Sequence, residues 1–228
     1  MIYIVLYNLR ILISWDRYGR AEVVYNALKQ QIYSREPNVI SVLHPALLTV
    51  LPIIDKDPAK PATPTSPKRV DDILSIIITN AITENGIVLR RRYTQCIAEF
   101  VDTLGMCVIR HLDRLVGLVS DYLEVFDGPE EQARFNTLSI LRALLQNAWP
   151  RIPRHSEAIL KTVLKLIQDV LCDRTTTPES VKDRLKEEAM MCLGLLKEIC
   201  PDVELSLKAV YDSSELSDVA SVIQRLCN

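Results

Sequence analysis

The stretch Tyr122-Leu-Glu-Val-Phe-Asp-Gly-Pro-Glu-Glu-Gln-Ala-Arg134 decides the fold. It reads as a helix end, a two-residue turn and a helix start. Upstream, Val108 to Phe126 places Ile109, Leu112, Val116, Val119, Leu123 and Phe126 at alternating steps of three and four, so they share one helical face. Asp127-Gly128 stops that helix, and Gly128 is able to take the positive φ that closes a helix. Pro129 opens the next helix, where its missing N–H costs nothing. Glu130 and Glu131 fall in the first turn, where the helix dipole favours negative charge. A turn this short makes the two helices pack antiparallel.

Working outward, the same unit recurs. Arg20 to Tyr33 has Val24, Ala27, Leu28 and Ile32 on one side, and Ser34-Arg35-Glu36-Pro37 is a turn. Val39 to Ile54 carries Ile40, Leu43, Leu47, Val50 and Leu51, with Pro45 expected to kink the helix or restart it after His44. Leu74-Ser-Ile-Ile-Ile-Thr79 is β-branched enough for a strand. Ile73, Ile77 and Ala81 suit a helix, and a lone strand would have no partner, so Val70 to Ala81 is read as helix. Leu89, Tyr93, Cys96, Phe100 and Leu104 make one seam of Ile87 to Leu104, and Gly105 marks its end or a bend.

Pro129 to Trp149 follows the opening turn, with Phe135, Leu138, Leu141, Leu145 and Trp149 inward. His155 to Leu171 is apolar at Leu160, Val163, Leu164, Ile167 and Val170. Thr177-Pro178-Glu179 is a helix start by its capping hydroxyl, first-position proline and first-turn acid. Val181, Leu185, Ala189, Cys192, Leu196 and Ile199 then hold one face until Pro201, and weaker helices follow at Val203 to Tyr211 and Leu216 to Leu226. The pairs 20–54, 70–104, 106–149 and 155–199 recur at roughly the forty-to-fifty-residue period of HEAT and armadillo repeats. The expected fold is all-α, an irregular HEAT/armadillo-like α-solenoid of antiparallel helix pairs. An irregular helical bundle would show a period as loose.

Composition agrees. Only six glycines in 228 residues argue against the many tight turns of an all-β fold. A net charge of −2 gives no bulk field for nucleic acid or membrane. Cys96, Cys107, Cys172, Cys192, Cys200 and Cys227 show no CxxC spacing and read as buried free thiols in a reducing compartment. Met1 to Trp15 is apolar but too short to span a bilayer, and it lacks the charge order of a signal peptide. Residues 1–17 are an atypical segment, either an extra helix or strand or the artificial start of a truncated gene model. The helical repeat domain is expected over 18–228, with an exposed Pro-rich loop at 55–68.

The sequence offers little chemistry. His44, His111 and His155 stand outside metal-ligand spacing of one another or of a cysteine, and His111 is read as a surface or boundary residue. Phosphate-cradle and nucleophile-elbow motifs are absent. No catalytic, cofactor-binding or metal-ligating residue is assigned. Arg90-Arg91-Arg92 is the sharpest charge feature, suited to an acidic partner surface or, as plain structure, to a solvated helix edge. Arg110 and Arg114 join it as surface candidates, with the turn Asp127, Gly128, Pro129, Glu130 and Glu131, whose bland reading is capping alone.

Certain residues also carry a resemblance. Leu89-Arg-Arg-Arg-Tyr93, Leu104-Gly105, Val108-Ile-Arg-His-Leu112, Tyr122 to Glu131, Ala133-Arg134, Trp149-Pro-Arg151 and Thr177-Pro-Glu-Ser-Val-Lys182 resemble the C-terminal half of the Tel-Two-interacting protein two family. Weaker similarity begins near Tyr18 to Tyr33 and runs through most of the chain. Met1 to Asp16 does not share it and the family's N-terminal half is missing, so a partial gene product is expected.

The resemblance implies a non-catalytic helical-repeat subunit of the Triple T complex, with no cofactor. It would bind the larger Tel-Two-interacting subunit and the Tel Two protein. With the ATP-driven heat-shock chaperone it would support phosphatidylinositol-kinase-related protein kinases, including the TOR and DNA-damage kinases. Nucleic acid and membrane are not expected partners, and the implied location is cytoplasmic and nuclear. Two other classes stand beside it. One is a helical-repeat nucleic-acid-binding or generic protein-interaction module, the former of which would show salt-dependent retention on RNA or DNA. An enzyme would show a polar pocket with shifted acids or bases.

Overall fold

A computed structural model describes residues 20–54, 69–173 and 177–212. The N-terminal segment, the Pro-rich loop at 55–68 and the helix expected at Leu216 to Leu226 lie outside the described residues. The described chain is helical, without a strand among the described residues, and falls into two compact units divided after Leu104.

The first unit holds two hairpins. Helix α1, Arg20–Gln30, packs on α2, Pro37–Ile54, and α3, Arg69–Ile82, packs on α4, Ile87–Leu104. Short connections force each pair antiparallel, and α2 also packs on α4, so the second members of the two hairpins stack. The β-branched run 74–79 is helix because Ile73, Leu74, Ile77 and Ile78 all reach the core from a 3.6-residue period. Pro37 opens α2 at the position where a missing N–H is harmless. Helix α2 does not restart after His44; it runs through Pro45 and Pro52. Thr49 Oγ1 donates to the Pro45 carbonyl oxygen at 2.9 Å, one of several local bonds inside a helix held by tertiary packing.

Over its 18 residues α2 has the length and apolarity of a membrane span, with mean hydropathy 1.7. Its Leu47, Val50 and Leu51 are buried within the unit. In α1 the buried face differs from the expected one. Ala21 and Tyr25 are buried, Val24 and Leu28 half-buried, and Ala27 exposed. The Tyr25 ring, with the Arg69 guanidinium 5.2 Å from its centroid, sets that face.

The second unit repeats the plan. Gly105, at φ 55°, leads into a 3-10 turn over Gly105–His111, then α5, Leu112–Glu124. Helix α6, Gln132–Asn147, forms a hairpin with α5, and α7, Ser156–Cys172, forms one with α8, Glu179–Ile199. Helix α5 lies on α7 and α6 on α8, first members against first and second against second. That is how a helical repeat buries the face each hairpin cannot bury alone. Helix α9, Asp202–Asp212, follows and touches α7 and α8.

Several expectations for this unit are corrected. Val108 to Phe126 is not one helix: its first turn is 3-10, and the α-helix ends at Glu124. Trp149 does not face inward; it is 55% exposed, because α6 stops at Asn147 and Ala148 takes the buried place. Phe135 is half-buried, with the Arg184 guanidinium 4.7 Å from its ring centroid. His111 is buried: it ends the 3-10 turn four residues before Leu115, in line with the buried Leu115, Leu118 and Tyr122. The described cysteines are free thiols, but only Cys96, Cys192 and Cys200 are buried; Cys107 and Cys172 are exposed.

Candidate functional site

The loop between α5 and α6 is built by two carboxylates that reach across it. The Ala133 N–H donates to Asp127 Oδ2 at 2.6 Å, and the Asp127 N–H donates to Glu131 Oε2 at 3.2 Å. This reciprocal arrangement satisfies a donor at the loop entrance and one at the helix start, as a capping box does. Asp127 and Glu131 are both buried. The loop therefore has a structural reason to leave the helix early: Val125 is extended at φ −93°, ψ 121°, which carries Asp127 inward. Val125 and Phe126 are left at the surface, Phe126 44% exposed.

Three sequence expectations for the turn change accordingly. Pro129 does not open α6; the helix begins at Gln132, because Asp127 caps it from six residues before Ala133. The positive φ falls on Glu131, at 53°, not on Gly128. At Gly128 a Cβ would meet the Phe126 ring, which is exposed enough to turn aside. Of the two glutamates, neither is in the first helical turn. Glu130 is exposed in the loop, and Glu131 is the residue before the helix.

Glu131 also pairs with Arg134, Oε1 to Nη1 at 3.5 Å. Burial holds the Glu131 carboxyl above the usual carboxylate range. Arg134 and the Asp127 N–H oppose that shift, while the charges of Asp127 and Asp173 add to it. Across from this pair, Lys182 is buried near the start of α8. Its Nζ donates to the Asp173 carbonyl oxygen at 2.9 Å and to Glu179 Oε1 at 3.0 Å. Between the two groups lies a recess of about 360 Å³. Thr177 lines it and does not cap α8, whose preceding residue is Pro178 and which has no side-chain cap.

The arginine candidates are placed differently. Arg90, Arg91 and Arg92 are half-buried on α4 in the first unit, with Arg92 Nη1 donating to Gln95 Oε1 at 3.4 Å. Arg110 is exposed and Arg114 half-buried in the second unit. The five arginines thus do not form one patch within either unit. Sequence reasoning missed Arg134, Lys182 and Asp173. The signal for Arg134 was its i+3 spacing from Glu131; Lys182 and Asp173 meet through a connection that no helical period reveals.

Among the described residues no group of three or more His, Cys, Asp or Glu could hold a metal ion. Burial pushes the Cys96 and Cys192 thiols up to about 12, so both are protonated at neutral pH. His44 is buried between Tyr93 and Phe100, with ring centroids 6.0 and 6.4 Å away, and burial lowers its pKa to about 4. These groups are set for packing more than for proton transfer at neutral pH.

No family model and no solved structure matches the chain. Curated proteins do. It is 41% identical over 186 residues to human TELO2-interacting protein 2, covering 79% of the chain and 36% of that protein. To the mouse protein of the same name it is 35% identical over 217 residues, 92% of the chain and 41% of that protein. To the rat protein it is 35% identical over 186 residues, 79% of the chain and 35% of that protein. The chain therefore spans about two-fifths of the length of the curated relatives it matches.

Proposed function

We propose that this chain, a homologue of the TELO2-interacting protein 2 family across most of its length, is a non-catalytic scaffold subunit. Its partners are the TELO2 protein and the larger Tel-Two-interacting protein of the Triple T complex. Its task is to support, with the ATP-driven heat-shock chaperone, the maturation and stability of phosphatidylinositol-kinase-related protein kinases. It acts in the cytoplasm and nucleus. The observation that carries this reading is the kinship itself: 41% identity over 186 residues to a protein named for binding TELO2. The stacked hairpins of each unit support it, because helical repeats recognise partners through exposed helix faces and inter-helix loops. So does the chemistry described above, in which the buried carboxylates satisfy backbone and arginine partners within the fold.

The test is a pull-down with purified chain as bait and the recombinant TELO2 protein and larger Tel-Two-interacting protein as prey. Retention of either at micromolar concentration is expected. No retention of either at that concentration would reject the reading for this chain.

A further inference from the structure

At the end of the second unit where α5 begins and α6 stops, two 3-10 turns share one edge. The first is Gly105–His111; α6 packs on it, and a Cβ on Gly105 would come within 3.9 Å of the Asn147 side chain. The second is Ile152–His155, and His155 Nε2 lies 3.1 Å from Asp113 Oδ1 in the first turn of α5. Each turn is pinned by its own buried residues, Val108 and His111 in the first and Ile152 in the second. Ala148 fills the buried place ahead of the second turn. The packing of the edge is therefore complete without Met106, 58% exposed, or Trp149, 55% exposed.

Three exposed arginines share the edge with them: Arg110 in the first turn, Arg151 just ahead of the second and Arg154 inside it. Arg151 and Arg154 enter no ion pair among the described residues. The first turns of α5 and α7 each bring one acid, Asp113 and Glu157. Asp113 meets His155, and Glu157 lines a separate groove with Asp202 of α9. The edge is thus basic in a chain whose net charge is −2. Its backbone is set in advance: the Arg151 N–H donates to the Ala148 carbonyl oxygen at 2.9 Å, and the Arg154 N–H to that of Arg151 at 3.3 Å.

Tryptophan, methionine and arginine are the residues that protein interfaces favour, and exposed tryptophan is the strongest anchor among them. A guanidinium stays charged and matches a carboxylate with two parallel hydrogen bonds, so the charge of the edge selects an acidic partner. A continuous phosphate backbone suits it less, because Asp113 stands on the same edge and the apolar pair offers phosphate nothing.

We propose that this edge docks an acidic segment of a protein partner. An apolar side chain of that segment packs on Trp149 and Met106, and its carboxylates pair with Arg110, Arg151 and Arg154. The inference rests on the reading of the chain as a partner-binding subunit and names the place and charge of the contact.

The test titrates the full chain, Trp149→Ala, and the double variant Arg151→Glu with Arg154→Glu against the TELO2 protein bound to the larger Tel-Two-interacting protein. All substituted positions are exposed, and circular dichroism with thermal midpoints checks that the variants fold. Trp149→Ala is expected to weaken Kd about tenfold or more. The charge reversal is expected to weaken it about tenfold or more as well, and added salt should weaken the wild type more than the double variant. If the wild type binds and both folded variants bind equally well, the edge is plain surface; that overturns the proposal and leaves the scaffold reading standing. If the double variant keeps the protein partner but loses a single-stranded RNA oligonucleotide that the wild type holds, the edge serves nucleic acid and the proposal is wrong. If the wild type does not bind the protein partner at all, both readings fall.

Discussion

Replacing Asp127 tests the central structural device most sharply. Asp127 is 3% exposed and its carboxylate accepts the Ala133 N–H at 2.6 Å, so Asp127→Ala removes a helix cap and strands a buried donor. Cap removal costs about 0.5–2 kcal/mol in general. The upper end applies here because Ala133 is itself buried and water cannot easily replace the lost acceptor. The expected loss is about 2 kcal/mol, or roughly 4–8 °C in thermal midpoint for a chain of this size. Asp127→Asn keeps an acceptor oxygen in the same place and should cost about half as much or less. Urea unfolding by circular dichroism gives the ranking, and amide exchange over 127–137 places the damage at the start of α6. Equal losses for Ala and Asn would mean that charge, not acceptance, matters. A loss under about 0.5 kcal/mol for Ala would refute the capping account.

Glu131 supplies a pH prediction. Its folded pKa is raised, so its contribution to stability is complete below its unfolded pKa and is lost as pH rises through the folded value. Glu131→Gln lacks that loss, so the stability of the variant relative to wild type should rise between pH 4 and pH 7; a constant difference in urea midpoints would contradict this. His44 has the opposite slope. Its pKa falls from 6.5 to about 4, so stability is present at neutral pH and declines as pH drops through that window, by roughly 3 kcal/mol at 1.36 kcal/mol per unit. His44→Leu should flatten the acid limb of the first unit's unfolding curve. In the second unit, Leu144→Ala at a fully buried site should cost about 2–5 kcal/mol. Trp149→Ala, at an exposed site, should cost under about 0.5 kcal/mol in the same unfolding assay.

The helices themselves were legible because each buries a face of period 3.6. Ile73, Ile77 and Ala81 overrode the β-branched run between them, and Val163, Ile167 and Val170 marked α7 as read. The pairing was legible from short turns. The ends were not, because they depend on side chains that act at a distance along the chain. Pro129 after Gly128 looked like a helix opening, yet the cap comes from Asp127, and Glu131 rather than glycine takes the left-handed conformation. Thr177 looked like a cap by spacing, but Pro178 occupies the position before the helix. Arg90 to Arg92 looked like an open charged edge and are half-buried, because a long aliphatic stem lets arginine lie along a helix surface. The recess joins residues from two hairpins, and no local pattern announces it.

The most direct test of the account is the affinity of the purified chain for the TELO2 protein bound to the larger Tel-Two-interacting protein, measured by isothermal titration calorimetry. The account predicts saturable one-to-one binding with a Kd of about 1 μM or tighter, equivalent to roughly −8 kcal/mol. A correctly folded chain that gives no saturable heat at tens of micromolar would contradict it.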